Sequence, residues 1–245
     1  VFVDSTGDAD LAAAAGNDLL SGKEENGEHQ QATIPFRITN VDEEKVIKYA
    51  KEHPDEISIV LSEEGKLSRI RILEKIVAPA KNAGLLYMPF GNSIFLFNTS
   101  KEGEYVCNAS HSNVLNYKDG KELELSINEA REQVYSISNY LKSIPGFEGS
   151  YLIDSSPNIG LRETRRAIGD YILTKSDVVN NARFEDKIVR CGHPIEVHDP
   201  EKGVYYEHLS GGDDSWYEIP YRAIVAKDLN NLFVIGRCLS AEFEA

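Results

Sequence analysis

The sequence has no uninterrupted apolar run approaching the ~18–20 residues that a membrane-spanning helix needs. A bilayer is therefore not expected as its solvent. It has three cysteines, Cys107, Cys191 and Cys238, too few and too scattered for a disulfide framework. No Cys-x-x-Cys pair is present for zinc or thiol exchange. Basic residues are also short: 26 Lys and Arg stand against 40 Asp and Glu, a formal net charge of −14. That balance argues against a phosphate backbone or an anionic lipid surface as partner, since both require clustered Lys and Arg. Neither a G-x-G-x-x-G turn nor a P-loop occurs, no signal peptide is visible, and there is no internal repeat or low-complexity tract. The compartment is left open, and small molecules or proteins are the expected partners.

What is present is the composition of a globular chain: 245 residues, 41% hydrophobic and 27% charged, enough for one or two domains with a substantial core. The opening "VFVDSTGDADLAAAAG" reads as an apolar strand, a loop at Ser5-Thr6-Gly7-Asp8 and an alanine-rich helix over residues 8–15, stopped by Gly16. The closing "NLFVIGRCLSAEFEA" reads as a strand running through Ile235 into Gly236 and a loop. The two strands are expected to be neighbours or near-neighbours in one sheet.

Between them the periodicities mix. "ATIPFRIT" reads as a strand, and Asn40 with Glu43 as a capping box for a helix to about residue 50. "LLYMPFGNSIFLFNTSKEGEYVCNAS" reads as an antiparallel meander of three runs. Ser126 and Glu129 suggest a second capping box, ahead of Ile127, Ala130, Val134, Ile137, Leu141 and Ile144 at helical spacing. "SYLIDSS" and "HPIEVHDP" read as strands, with a glycine and acid loop at "SGGDDSW" and a further stretch, "YEIPYRAIVA". Without a sustained β-α-β rhythm, the fold class expected is α+β.

Three stretches carry candidate chemistry. "NIGLRETRRAIGDYILT" is expected to be a helix over 159–173, with Arg162, Arg165, Arg166 and Gly169 at i, i+3, i+4 and i+7 on one face. Such a face suits a carboxylate or phosphate, or else is a solvated surface paired with Glu163 and Asp170. Gly169, costly inside a helix, indicates a close approach to its backbone. In "GHPIEVHDP", strand alternation puts His193 with Ile195 and Val197, and Glu196 with His198 on the opposite face, so the two histidines do not converge on one metal ion. His198 suits a proton carrier or a structural hydrogen bond. "STGDAD" offers a hydroxyl, a glycine and backbone N–H groups to an anion, unless Asp8 and Asp10 merely complement the helix dipole.

Four blocks in order resemble the FAD-dependent oxidoreductase family of the glutathione-reductase-type flavoproteins. "DSTGDADLAAAAG" is similar to its Ala-Thr-Gly-Asp-Gly-Asp segment, and "IPGFEGSYLIDSSPNIGLRETRRAIGDYILT" to its Gly-Ile-Arg-Glu-Ser-Arg-Arg helix. "HPIEVHDP" is similar to its Asp-Ile-His strand, with Glu196 where the family tends to have Asp. "IPYRAIVAKDLNNLFVIGRCLSAEFEA" is similar to its Pro-Tyr-Arg and Gly-Arg-Cys-Ile-Ser-Ala blocks, with Phe243 near a common His.

The resemblance implies FAD as cofactor and hydride or electron-pair transfer to or from a small organic substrate. It puts Thr6, Gly7, Asp8, Gly236, Arg237 and Cys238 on the flavin side, and Arg162, Arg165, His198, Tyr221 and Arg222 at the flavin and substrate interface. It further implies that residues 1–30 and 221–245 are ribbons of an FAD-binding domain whose fingerprint precedes Val1, and that 31–220 form a substrate-side domain. On that expectation the remainder of the FAD domain is a partner, and the isolated segment is colourless and inactive. The competing expectation is a non-catalytic module that binds a carbohydrate or other ligand through "YMPFGNSIFLF".

Overall fold

The computed structural model describes every residue except Leu115 and Asp213. The acidic loop expected at "SGGDDSW" therefore falls in part outside the described residues. The chain enters through strand β1 (Phe2–Asp4), helix α1 (Asp10–Ala14) and strand β2 (Leu19–Ser21). There follow β3 (Phe36–Thr39), α2 (Glu43–Glu52), β4 (Ile57–Leu61), β5 (Leu67–Ile72), α3 (Glu74–Asn82), β6 (Ile94–Asn98), β7 (Tyr105–Asn108), α4 (Gly120–Leu141) and β8 (Tyr151–Ser155). The last third holds β9 (Arg165–Ala167), α5 (Lys175–Val179), β10 (Lys187–Cys191), β11 (Ile195–Asp199), β12 (Gly203–Glu207), β13 (Tyr217–Pro220) and β14 (Leu232–Val234). By Cα proximity there are two compact units, residues 32–160 and residues 1–31 with 161–245. The mixed helices and antiparallel sheets make the fold α+β.

The unit over 32–160 is built on a six-stranded antiparallel sheet in the order β4-β5-β6-β7-β3-β8. Alternate residues, among them Ile70 and Ile72, Ile94 and Leu96, Tyr105 and Cys107, and Phe36 and Ile38, are buried with Val46 of α2, Val77 of α3 and the apolar stripe of α4. The period of two along each strand and of 3.6 along α4 thus meet in one core. In α4, Ala130, Val134, Ile137 and Leu141 are buried as their spacing predicts.

The helix starts differ from the expected capping boxes. α2 is capped by Asp42, whose carboxylate accepts the Lys45 N–H at 3.0 Å. Glu43 instead accepts from the Gly103 N–H and the Tyr105 hydroxyl. α4 starts two turns earlier, at an Asp119 cap, so Ser126 lies inside it and bonds back to the Glu122 carbonyl. The meander also differs: residues 85–87 form no strand, and a β4–β5 hairpin from a stretch with no sequence assignment supplies two strands at one edge.

In the unit of 1–31 and 161–245, β1 runs parallel to β14, with Phe2 opposite Leu232 and Asp4 opposite Val234. This is the neighbour relation expected of the two terminal strands. Three antiparallel pairs, β2–β9, β10–β13 and β11–β12, complete it. Two apolar clusters hold the pieces: Ala9, Ala12, Ala167, Ala226, Leu232, Val234 and Cys238 in one, and Leu173, Val178, Ile195, Val197, Tyr217 and Phe243 among the second.

The expected helix over 159–173 is absent. Its middle is β9, paired with β2, and its N–H groups go to distant carbonyls: Ile168 to Asp18, Asp170 to Val225, Tyr171 to Arg222 and Leu173 to Ser240. The β-branched residues Thr164, Ile168 and Ile172 and the glycine at 169 weaken helix propensity, and a ladder of long-range partners was available. Gly169 does meet a close approach, by backbone rather than ligand. A Cβ there would fall 2.9 Å from the Val225 carbonyl oxygen and 3.0 Å from that of Arg222. Gly169→Ala is expected to lower stability by ~1–3 kcal/mol through overpacking. An unchanged urea midpoint would show that residues 222–225 yield freely.

Candidate functional site

The loops that leave β1 and β14 both lie at the carboxyl ends of a parallel pair, where ligands are commonly bound in α/β arrangements. Asp4 organises the first. Its buried carboxylate accepts the Thr6 N–H (3.0 Å), the Thr6 hydroxyl (2.7 Å) and the Ala12 N–H (2.8 Å). Burial works against the charge, but these hydrogen bonds outweigh it and hold the carboxyl below its usual range. Thr6 Oγ1 in turn accepts the Asp10 N–H.

Gly7 follows with φ +81°, and Arg237 closes over it. The Arg237 guanidinium donates from Nε to the Gly7 carbonyl (2.9 Å), from Nη2 to Asp8 (2.6 Å) and from Nη1 to the Leu161 carbonyl. Thr164 Oγ1 also donates to Asp8. Gly236 has φ +82° and open space where a side chain would stand. Cys238 is buried beside it as packing. Thr6, Gly7, Asp8, Gly236, Arg237 and Cys238 are thus brought together, by contacts that span more than 220 residues of sequence.

The three arginines read as one face part company because β9 is a strand. Arg165 pairs with the exposed Asp10. Arg166 is buried, donating to the carbonyls of Ala241 and Gly22 and to Glu163 and Glu24. Glu163 also bonds His29 at 2.7 Å. Arg162 donates from Nε to the Gln31 carbonyl at 3.1 Å, while its buried Nη2 has no hydrogen-bond partner.

Arg162 borders two cavities. One, of about 270 Å³, is shared with Gly236 and Arg237. The other, of about 320 Å³, is shared with His198, Glu196, Gln30 and His193. In β11, Ile195 and Val197 point into the core and Glu196 and His198 to the other face, as alternation requires. His198 Nε2 and Glu196 Oε1 are 3.1 Å apart, the Tyr206 hydroxyl donates to the same carboxylate oxygen at 3.0 Å, and the His198 N–H reaches Gln30 at 3.1 Å.

Burial, reinforced by the charge of Arg162, pushes the His198 pKa down to about 4 against the opposing pull of Glu196. Burial likewise lowers that of Arg162, with Glu196 and Tyr206 opposing. At neutral pH His198 is therefore an uncharged imidazole. With Nε2 donating to Glu196, its lone pair sits on Nδ1.

The depressed value has a consequence for stability. As pH falls the unfolded chain, with a histidine pKa near 6.5, takes up the proton before the folded one does. His198 should therefore subtract on the order of 3 kcal/mol of stability between about pH 6.5 and pH 4. Urea midpoints at pH 7.0 and 5.0 are expected to differ less in His198→Gln than in the unmodified protein. Equal differences would mean that His198 titrates normally.

Tyr221 and Arg222 line neither cavity. Arg222 is held by Asp186 at 2.9 Å and lies over the Tyr171 ring, while Tyr221 packs against Phe233. Gln30 had no sequence signal, since it reaches the cavity through its bond to the distant His198. Glu196 had one, its alternation with His198. Among the described residues no group of three or more His, Cys, Asp or Glu could hold a metal ion, and no helix is long and apolar enough to cross a membrane.

A sequence model of the FAD dependent oxidoreductase family matches residues 1–245. No curated protein and no solved structure matches significantly. The chain belongs to the FAD dependent oxidoreductase family, and its activity is flavin-dependent oxidation and reduction of a small molecule with FAD as cofactor.

Proposed function

We propose that residues 5–8 and 236–238 hold the flavin and that the Arg162–His198 cavity is where substrate is oxidised or reduced. The observation that carries this reading is the position of Arg162, which borders both the cavity lined by Gly236 and Arg237 and the one lined by His198. The residues fit a flavin: Gly236 has φ +82° with open space where a side chain would stand, and the partly exposed Arg237 guanidinium beside it is held in place by Asp8. When bound, FAD supplies the two-electron chemistry, and the protein supplies position and charge.

In this reading Thr6, Gly7, Asp8, Gly236 and Arg237 orient the cofactor, with Cys238 packing beneath. Arg162 draws an acceptor atom of the substrate towards the flavin side, and the neutral His198 ring takes a proton from it. Arg165, Tyr221 and Arg222 shape the surroundings. Segments 1–30 and 221–245 belong with the flavin domain and 31–220 with the substrate side.

Two sets of variants test the division. Arg237→Ala is expected to lower the ratio of 450 nm to 280 nm absorbance of the holoenzyme. Arg162→Ala should retain that ratio while impairing turnover. The opposite pattern would reverse the two assignments.

A further inference from the structure

We propose that β4 is an interface at which a second copy of this chain pairs strand to strand, across a two-fold axis at Ile59. The inference is independent of the flavin and concerns the unit over 32–160 alone. Its six-stranded sheet has two edges, β4 and β8. β8 is blunted in two of the ways that edge strands are protected. Ile153 is the extra residue of a bulge, between the pairs Arg37–Asp154 and Ile38–Leu152, and Asp154 is a charge held by Arg37. β4 has neither device. Its sequence, ISIVL, carries no charge and no proline, and the bulge in its pairing belongs to β5, where Ser68 is the extra residue. Val60 and Leu61 are 40% and 42% exposed.

The backbone shows which groups face outward. The Leu73 N–H donates to the Glu56 carbonyl and the Ser62 N–H to the Lys66 carbonyl, both at 2.8 Å, so the even-numbered residues of this stretch face β5. By alternation the N–H and C=O groups of Ile59 and Leu61 point away from the sheet, with the carbonyl of Ile57. The Ile57 N–H is already given to the His53 carbonyl. This stretch is its own complement. Antiparallel pairing about Ile59 sets Ile57 against Leu61 and Ser58 against Val60 of the second copy, with no like charges opposed. Just outside the strand Asp55 meets Glu63, and Lys75, bonded to Asp55 at 2.5 Å, offsets that repulsion. Two five-residue strands make an interface below the ~1,200 Å² of a stable complex, so the pairing is reversible at micromolar concentration.

Sedimentation equilibrium of the holoenzyme over about 1–200 µM is expected to show the mass rising from one copy to two and stopping there, because a two-fold pairing is closed. Ser58 and Val60 are exposed, on the face opposite Ile57 and Ile59 of the core, so charges are accommodated there without repacking. Ser58→Lys combined with Val60→Lys opposes lysines twice across the axis and should raise the Kd roughly tenfold. Ser58→Lys combined with Val60→Glu makes two opposite-charge pairs instead and should return the Kd to within about threefold of the unmodified protein. Urea midpoints check that both are folded. Should the lysine pair fail to fold, Ser58→Glu with Val60→Glu repeats the test, since its carboxylates lie beside Arg71 and Arg69 of β5. The mass of one copy at every concentration would overturn the proposal. So would growth beyond two copies, or a dimer whose Kd the like-charge and opposite-charge variants leave alike.

Discussion

His198→Gln is expected to reduce turnover of the flavin-loaded protein by roughly 10²- to 10⁴-fold, the usual contribution of a positioned acid or base. The argument begins with the strand. Alternation in β11 sends His198 away from the Ile195 and Val197 core and into the cavity with Arg162. There, burial and the neighbouring guanidinium keep the ring neutral, with a pKa of about 4. The bond to Glu196 fixes its tautomer, and the ring enters the reaction as a neutral base. Glutamine keeps a donor towards Glu196 but cannot exchange protons. Turnover of the unmodified protein should show no histidine titration between pH 6 and 8. A variant with undiminished turnover would make His198 a structural residue.

Arg166→Ala should be the most damaging arginine change for stability, at about 3–5 kcal/mol, the cost of breaking a buried ion pair from one side. Four hydrogen bonds are lost at once, to Ala241, Gly22, Glu24 and Glu163. Glu163, itself buried, is left with His29 and the Gln30 N–H, and two carbonyls lose this donor. Arg166→Lys should restore only part, because an ammonium cannot reproduce the guanidinium fork. Arg165→Ala, which removes a pair with the exposed Asp10, should cost no more than about 1 kcal/mol. Denaturant unfolding of the three variants checks the ranking, and equal losses for Arg165→Ala and Arg166→Ala would contradict it.

This ranking also marks the limit of reading the sequence. Spacing at i, i+3 and i+4 joins Arg162, Arg165 and Arg166 on one helical face, yet the N–H groups that would have closed the helix are committed to carbonyls 50 to 150 residues away. Periodicity cannot register such partners. Where the deciding contacts are local or strongly periodic, the reading holds: the stripe of α4, the alternation of β11, and the strand-to-loop signature at each end. The parallel pairing of β1 with β14 was within reach because both are short apolar runs that precede glycine-containing loops. The Asp119 and Asp42 caps were missed because stronger-looking Ser/Glu and Asn/Glu pairs stood nearby, and their acids were engaged by tertiary partners such as Tyr105 and Ser112. The cavity is assembled from Gln30, Arg162, β11 and Phe243, which no local pattern connects.

Where the flavin lies is the claim on which the rest depends, and photolabelling measures it without assuming a substrate. The protein would be loaded with 8-azido-FAD, irradiated and digested, and the labelled peptides identified by mass spectrometry. The label is predicted to fall within residues 1–31 and 161–245, in peptides carrying the 5–8 loop, Arg162, β11 or the 236–238 turn. Labelling confined to residues 32–160 would contradict the account.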